Sequence, residues 1–375
     1  MPRFNIHLIA GARPNFVKIA ALWHAFQAFR KKHPRSKVAL KIINTGQHYD
    51  YLMAKKLFED FALPAPYRDL RVGSDSHAAQ TAKIMVSYEK LIAQDRPDLT
   101  MVVGDVNSTM ACSVVAVKLG IPVAHVEAGL RSRDRTMPEE INRLVTDSIS
   151  NLLFTTSKDA DINLKKEGVS PDKIFIVGNV MVDTLLMNLP AARKSKIKQR
   201  LGIKPPYAVL TLHRPSNVDK EGDLLEILKA LKAIQRRLPI VFPVHPRTAA
   251  RLKKILHKAH LDQSGRLFLI PPLGYHDFIN LLADADLALT DSGGIQEETT
   301  VLKVPCLTLR DNTERPVTIG QGTNILAGRK APAIIRLANQ ALDRKRRSAK
   351  TRRPPYWDGK AAERIWTILA RKFRF

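Results

Sequence analysis

Asp105, Glu127 and Glu139 are the residues of this chain best placed to move protons, because the stretch from Val102 to Arg143 sets them where an acid/base site is usually built. The apolar run Thr100–Val103 ends at Gly104-Asp105, Asn107–Leu119 reads as a helix, and Gly120-Ile121-Pro122 turns the chain into a second apolar run, Val123–Val126, that ends at Glu127. This is a β-α-β unit. Strands joined by a crossover helix are parallel, so Asp105 and Glu127 leave the same carboxyl edge of one sheet, the edge where open α/β sheets bind ligands. Glu139 follows in Thr136-Met137-Pro138-Glu139, which reads as a helix start with Thr136 as N-cap and Ile141, Leu144, Val145 and Ile149 as the apolar side. A purely structural alternative for Glu139 is one half of a capping box.

Other polar residues also follow strand ends. Gly11-Ala12-Arg13-Pro14 comes after the first strand, with Lys18 one turn on, so Arg13 and Lys18 could hold a pyrophosphate; a tight turn with a surface Arg is the simpler alternative. Asn44-Thr45-Gly46-Gln47-His48 follows the second strand and is a polar loop. His213-Arg214 and His245 end two strands of the second half, and equivalent positions raise the interest of residues that singly would be ordinary hydrogen-bonded histidines. Thr290-Asp291-Ser292-Gly293-Gly294 opens a helix, giving free backbone N–H groups at a positive dipole end with no Cβ to block close approach. That suits a diphosphate. Glu297 and Glu298 in its first turn either complement the dipole or accept from ribose hydroxyls. Neither the dinucleotide-binding glycine pattern nor the Walker pattern is present, which argues against NAD and ATP, and no zinc spacing occurs; no cofactor or metal is expected.

The elements that must position these residues repeat one pattern. In the first half, strands at Phe4–Ala10, Val38–Ile43, Thr100–Val103, Val123–Val126, Leu152–Thr155 and Ile174–Val177 alternate with helices at Phe16–Phe29, Tyr51–Phe61, Ala78–Gln94 and Asn107–Leu119. From Tyr207, strands at Tyr207–Leu212, Ile240–Val244, Leu267–Ile270, Leu287–Thr290 and Cys306–Leu309 alternate with helices at Asp223–Arg236, Ala249–Ala259, Tyr275–Ala283 and Ile295–Val301. The expected fold is α/β, two Rossmann-like doubly wound domains facing a cleft: residues 1–190 with the carboxylates, a linker at 191–206, and a second domain at 207–355. Asp358 then caps a last amphipathic helix, within 356–375, that returns to the first domain.

Composition narrows the class. The chain has 375 residues, 45% of them hydrophobic, and no apolar run of membrane-spanning length, so a soluble, cytoplasmic protein with no membrane partner is expected. Cys112 and Cys306 read as buried reduced thiols. A balance of 61 Lys+Arg against 35 Asp+Glu gives +26, which would attract any polyanion. The excess sits in Arg30–Lys37, Arg193–Lys204, Arg247–Lys258 and Arg344–Arg353, without interleaved aromatics, so solvated helix faces and linkers are preferred over specific nucleic-acid binding.

With these residues placed, the chain closely resembles the non-hydrolysing UDP-N-acetylglucosamine 2-epimerases, whose two-domain fold is shared by many nucleotide-sugar glycosyltransferases. The motifs are long: Gly11-Ala12-Arg13-Pro14-Asn15-Phe16-Val17-Lys18, Thr45-Gly46-Gln47-His48-Tyr49-Asp50, Gly104-Asp105, His125-Val126-Glu127-Ala128-Gly129-Leu130-Arg131, Pro138-Glu139-Glu140-Ile141-Asn142-Arg143, Asp291 through Glu298, and Thr313-Glu314-Arg315-Pro316. The resemblance implies UDP held mainly by the second domain, with Phe278 on uracil, Glu298 on ribose, and Ser292, Gly293, Gly294, Arg13 and His213 around the diphosphate, with Arg315 nearby. His245 joins this substrate-binding set. Asp105, Glu127 and Glu139 match the family's catalytic acids, with His213 counted among the catalytic groups and Lys18 the motif lysine beside them.

The resemblance also implies the chemistry. A carboxylate removes the C2 proton as UDP leaves C1, giving a 2-acetamidoglucal; a second acid protonates C2 from the other face and UDP re-adds. UDP-GlcNAc would thereby become UDP-ManNAc, a surface-polysaccharide precursor, in a homodimer. Tyr49 and Asp50 stand where regulated members carry Arg and Gln, so a second UDP-sugar site at Gln47 and His48 is expected to be weak or absent. The segment from Ser132 to Met137 resembles the branch that includes epimerases of UDP-2,3-diacetamido-glucuronic acid, leaving the sugar open. A hydrolysing epimerase, a glycosyltransferase of the same fold and a basic RNA-binding protein are the rival readings.

Overall fold

The computed structural model describes residues 4–47, 58–244, 248–249, 251–252, 255, 265–343 and 353–375, the side chain of Arg13 excepted. The helices expected at Tyr51–Phe61 and Ala249–Ala259 lie largely outside the described residues. The chain divides into two compact units: Met1–Met187 with Pro355–Phe375, and Asn188–Pro354.

Unit 1 is built on one parallel sheet. Its strands are β1 (Phe4–Ala10), β2 (Val38–Asn44), β3 (Arg68–Asp69), β4 (Leu99–Val103), β5 (Val123–Ala128), β6 (Leu152–Thr155) and β7 (Ile174–Ile176), in the spatial order β3-β2-β1-β4-β5-β6-β7. β4 and β5 are buried at every position, as strands covered on both faces must be, and β5 takes His125 and Glu127 into the interior with its apolar residues. Helices α1 (Arg13–Lys32), α2 (His77–Gln94), α3 (Asn107–Lys118), α4 (Pro138–Ile149), α5 (Lys158–Lys166) and α6 (Val180–Ala192) cover it, the last running on into unit 2. The winding reverses between β1 and β4, which makes the ends of those strands the topological switch point.

In unit 2, β8 (Ala208–Thr211), β9 (Ile240–Pro243), β10 (Leu267–Ile270), β11 (Leu287–Thr290), β12 (Cys306–Thr308) and β13 (Asn324–Leu326) form a second parallel sheet, ordered β10-β9-β8-β11-β12-β13. Its helices are α7 (Glu221–Ile234), α8 (Tyr275–Ala283), α9 (Gly293–Leu302) and α10 (Ala331–Asp343). The switch falls between β8 and β11.

Two sequence expectations need correction. The segment 191–206 is no bare linker: Ile197 and Ile203 are buried against Tyr207 and Val209, and its charges are taken up by α8, Arg193 and Lys198 pairing with Asp284 and Arg200 with Asp277. The terminal helix, α11 (Ala361–Phe373), is not capped by Asp358, whose carboxylate accepts from the Lys360 N–H and pairs with Arg364. Asp183 of α6 instead accepts from the Ala362 N–H at 2.7 Å. α11 belongs to unit 1, where Trp366 packs on Phe26 with ring centroids 4.8 Å apart and donates its indole N–H to the Leu22 carbonyl at 2.9 Å. Cys112 and Cys306 are buried free thiols, and burial pushes Cys306 up to about 12. Among the described residues no helix is long and apolar enough to cross a membrane.

Candidate active site

The carboxyl edge of unit 1 is an array of buried charges. Lys18, on the second turn of α1, donates from Nζ to Glu127 Oε1 at 2.8 Å, and both side chains are almost fully enclosed. Two backbone features make this contact. Gly104 adopts a φ of +68°, and any Cβ there would lie 2.5 Å from the Lys18 ammonium, so only glycine ends β4 without displacing the lysine. Glu127 itself sits at a φ of +74°, and the pairing of β5 with β6 shifts register between Val126 and Ala128. A bulge with a non-glycine residue in the left-handed region re-aims the side chain out of the strand at a local conformational cost. Asn15 fixes the turn before α1 by accepting from the Gly11 and Ala12 N–H groups and donating to the Val103 carbonyl at 2.9 Å.

Asp105 is gripped from α4. The Arg143 guanidinium pairs with its carboxylate, and the Asn142 amide donates to its carbonyl at 2.9 Å. Arg143 also binds Glu140, whose carboxylate accepts from the backbone N–H groups of Ser132 and Arg133. Burial works to raise the Glu140 pKa, but these donors and the guanidinium outweigh it and hold the group below the ordinary carboxylate range. Glu139, its neighbour, is half-buried and makes no side-chain hydrogen bond or ion pair with any described residue. Glu140 therefore does the structural work that the capping-box alternative assigned to Glu139. Thr136 is not the N-cap: Met137 is, and the Thr136 hydroxyl bonds to Asp134 at 2.6 Å. The expected apolar side of α4 is also wrong. Its buried residues are Glu140, Asn142, Arg143, Thr146 and Asp147, while Ile141 is exposed, because the buried face meets polar partners, among them Asp105, Asn107, His125 and Ser132.

In unit 2 the organising group is Asp291, at the end of β11. Its fully buried carboxylate accepts from the backbone N–H groups of His213 and Arg214, from the Asn217 amide at 3.1 Å, and lies 2.8 Å from His213 Nδ1. Burial works to raise the Asp291 pKa, but the hydrogen bond and charge of His213 and the backbone donors outweigh it. Ser292 follows as the N-cap of α9 without a side-chain cap bond, and Gly293 and Gly294 form the first turn. A Cβ on Gly293 would collide with the Arg315 guanidinium, which Glu297 holds through a 2.7 Å bond to Nε. Arg214, Arg310 and Arg315 all bind Glu314. A helix N-terminus with a guanidinium beside it is an arrangement that favours an anion.

Beside it, Glu298 is buried in α9, bonded to the Tyr275 hydroxyl; burial pushes its pKa up to about 8, that bond opposes the rise, and the charge of Glu297 adds to it. Phe278, on α8, packs partly buried against the same core. The Gln47 amide oxygen is turned inward to the Ser108 N–H and hydroxyl at 3.1 and 2.7 Å. His48, His245 and the side chain of Arg13 lie outside the described residues. Sequence reasoning assigned no role to Arg143, Glu140 and Asp147, or to Asp291 beyond its motif. Motif context was the signal available for Arg143, Glu140 and Asp291; Asp147 lies outside every motif and carried none, since an isolated helix charge ordinarily faces water.

Two parallel doubly wound units, one lined by strand-end carboxylates and the other by an anion-receptive helix start, define a GT-B-like α/β protein. The sequence profile of the UDP-N-acetylglucosamine 2-epimerase family matches residues 30–370, and the chain belongs to that family. It is 42% identical over 371 residues to the UDP-N-acetylglucosamine 2-epimerase of Methanocaldococcus jannaschii, covering 97% of this chain and 98% of that one. It is 36% identical to the UDP-2,3-diacetamido-2,3-dideoxy-D-glucuronate 2-epimerase of Pseudomonas aeruginosa, covering 98% and 99%. The crystal structure of the M. jannaschii enzyme in complex with UDP-GlcNAc and UDP superposes with a TM-score of 0.89 at 41% identity, covering 98% of this chain and 100% of that one.

Proposed function

We propose that this chain is a non-hydrolysing UDP-GlcNAc 2-epimerase that interconverts UDP-GlcNAc and UDP-ManNAc, supplying a precursor for surface polysaccharide. The observation that carries the reading is the carboxylate set of unit 1: Asp105 and Glu127 leave neighbouring strands, and Glu139 opens the helix whose Arg143 holds Asp105. C2 of the sugar is not activated by a carbonyl, so simple deprotonation is chemically poor and elimination solves the problem. One carboxylate takes the C2 proton while the C1–O bond breaks toward UDP, leaving a C1–C2 double bond; a second carboxyl group then delivers a proton to the opposite face and the diphosphate oxygen re-forms its bond to C1. Electrons and atoms balance without an oxidant.

Unit 2 supplies the nucleotide side. The α9 N-terminus, Arg315 and His213 receive the diphosphate and stabilise it as a leaving group, Glu298 with Tyr275 meets the ribose, and Phe278 meets the uracil. The hydrolysing rival shares the glycal and differs only in whether UDP is held long enough to re-add. Proton NMR of UDP-GlcNAc incubated with the protein in D2O separates them. UDP-ManNAc carrying deuterium at C2, with UDP still attached, is the expected product. Free ManNAc and UDP as main products would establish hydrolysis, and turnover only of UDP-2,3-diacetamido-glucuronic acid would move the substrate to that of the P. aeruginosa relative.

A further inference from the structure

One buried histidine–aspartate pair stands where the three carboxylate-bearing elements of unit 1 meet. His125, on β5 and fully enclosed, has Nδ1 2.6 Å from Asp147 Oδ1 and Nε2 2.8 Å from the Gly104 carbonyl oxygen. A carbonyl oxygen has no proton to give. Asp147 has none either: burial works to raise its pKa, but the charge and bond of His125 and those of Arg131, 2.7 Å away, outweigh burial and keep it low. Each ring nitrogen faces an acceptor, so either neutral tautomer would forfeit one bond, and the arrangement is satisfied only by a ring that donates from both. The second Asp147 oxygen accepts from the Gly129 N–H at 3.1 Å, and Arg131 is tied in turn to Glu167.

These contacts reach each catalytic carboxylate through one covalent neighbour or helix. Gly104 precedes Asp105 and, lacking a Cβ, leaves the room that the Lys18 ammonium, the partner of Glu127, occupies. Gly129 directly follows Ala128, the last paired residue of the bulged strand, two positions beyond Glu127. Asp147 lies two turns along α4 from Glu139. A buried ion pair adds little net stability over an apolar filling of the same volume, so its presence at this junction calls for another reason. We propose that His125 and Asp147 are positioning residues, a doubly donating imidazole and its carboxylate that lock Asp105, Glu127 and Glu139 into the one relative geometry that serves opposite faces of C2. This deepens the epimerase reading and rests on it.

The test has one readout that needs no turnover. In full-length protein labelled with 15N-histidine, His125 should show two protected ring N–H signals, and Asp147→Asn should abolish the one directed at Gly104 and shift the Asp105 and Glu127 backbone amides while amides of unit 2 stay in place. On UDP-GlcNAc in D2O, Asp147→Asn and His125→Phe should lower kcat about 100-fold with UDP affinity unchanged. They should also raise the ratio of deuterium returned in UDP-GlcNAc to that in UDP-ManNAc, because protonation from the original face survives when the opposite carboxyl group is misplaced. A merely structural pair would lower the melting temperature and leave kcat per folded molecule and the deuterium ratio unchanged. A single ring N–H in the wild type, or that unchanged ratio, overturns the proposal. If His125→Phe does not fold, the isosteric Asp147→Asn decides alone, and if the wild type turns over no UDP-sugar, the epimerase reading fails while the amide shifts still decide the positioning.

Discussion

Asp183 offers a perturbation whose size can be worked from its surroundings. It is buried on α6, with Oδ2 accepting from the backbone at the start of α11 and Oδ1 without a hydrogen-bond partner among the described residues. Burial pushes its pKa up from 3.8 to about 6; the Ala362 and Ala361 N–H groups and Arg364 oppose the rise, and Asp358 adds to it. A folded-state pKa above the unfolded one means that the native chain keeps a proton the unfolded chain has released. The stability of unit 1 should therefore fall as pH climbs from about 4 to about 6, by about 3 kcal/mol for a shift of this size, and stay low above that window. Asp183→Asn has no such ionisation. Its amide nitrogen, at the place of the unpartnered Oδ1, costs about 1–2 kcal/mol at every pH. The variant should then melt lower than wild type at pH 3.5, where little of that stability has yet been lost, and higher at pH 8, by about 2–6 °C in each direction, in thermal scans followed by circular dichroism. Two curves offset equally at both pH values would refute the argument, since they would show that Asp183 carries its charge in the fold at no cost.

Three further outcomes follow from the site. Asp105→Asn, Glu127→Gln and Glu139→Gln should each lower kcat at least ~100-fold at near-constant UDP affinity; Glu139→Gln should do so without lowering the melting temperature, whereas Glu140→Gln should lose about 2–4 kcal/mol of stability in urea titration. A Glu139→Gln enzyme that kept its rate would remove Glu139 from the chemistry. Gly293→Ala should weaken UDP binding by about tenfold or more in calorimetry, because the new methyl displaces Arg315 from the α9 N-terminus, and an unchanged affinity would place the diphosphate elsewhere. Reverse-direction kinetics on UDP-ManNAc should be hyperbolic without added UDP-GlcNAc, as expected from Tyr49 and Asp50; a requirement for trace UDP-GlcNAc would show that a second site operates.

Much of this was legible before any coordinates, and what was missed has one cause. Asp105 and Glu127 stand out because each ends an apolar run at a turn, and hydrophobic period together with strand parallelism then forces them to one edge. The Ser292-Gly293-Gly294 turn was equally plain from its glycines. α4 was misread because the period rule assumes that a buried helix face is apolar. Here the apolar residues are the more exposed ones, and the face that enters the unit carries Glu140, Asn142, Arg143 and Asp147. Glu140 and Arg143 pair with each other one turn apart, but their further partners and those of Asn142 and Asp147 come from outside the helix, from Ser132, Asp105 and His125, and the helical period carries none of that pairing. The same blindness hid Asp291, whose role depends on His213 and Asn217, more than 70 residues earlier.

The two units manage buried charge in opposite ways, and this bears on what each can do. In unit 1, Lys18, Arg131 and Arg143 are each matched by carboxylates held within hydrogen-bond reach, so the edge is internally balanced and rigid, as proton transfer between fixed positions demands. In unit 2, Arg214, Arg310 and Arg315 share Glu314, with Glu297 added at Arg315, and the neighbouring helix start contributes further positive potential. Three guanidinium groups thus gather on one carboxylate, Glu314. On the proposed reading, a dianionic diphosphate meets guanidinium groups already oriented by carboxylates, so little of the cost of assembling them falls on binding. Glu314→Gln should therefore loosen the fold, because it removes the carboxylate that three guanidinium groups share, whereas Arg315→Gln should weaken UDP binding in calorimetry and take from Glu297 its 2.7 Å bond; an unchanged UDP affinity in Arg315→Gln would refute the placement of the diphosphate at this helix start.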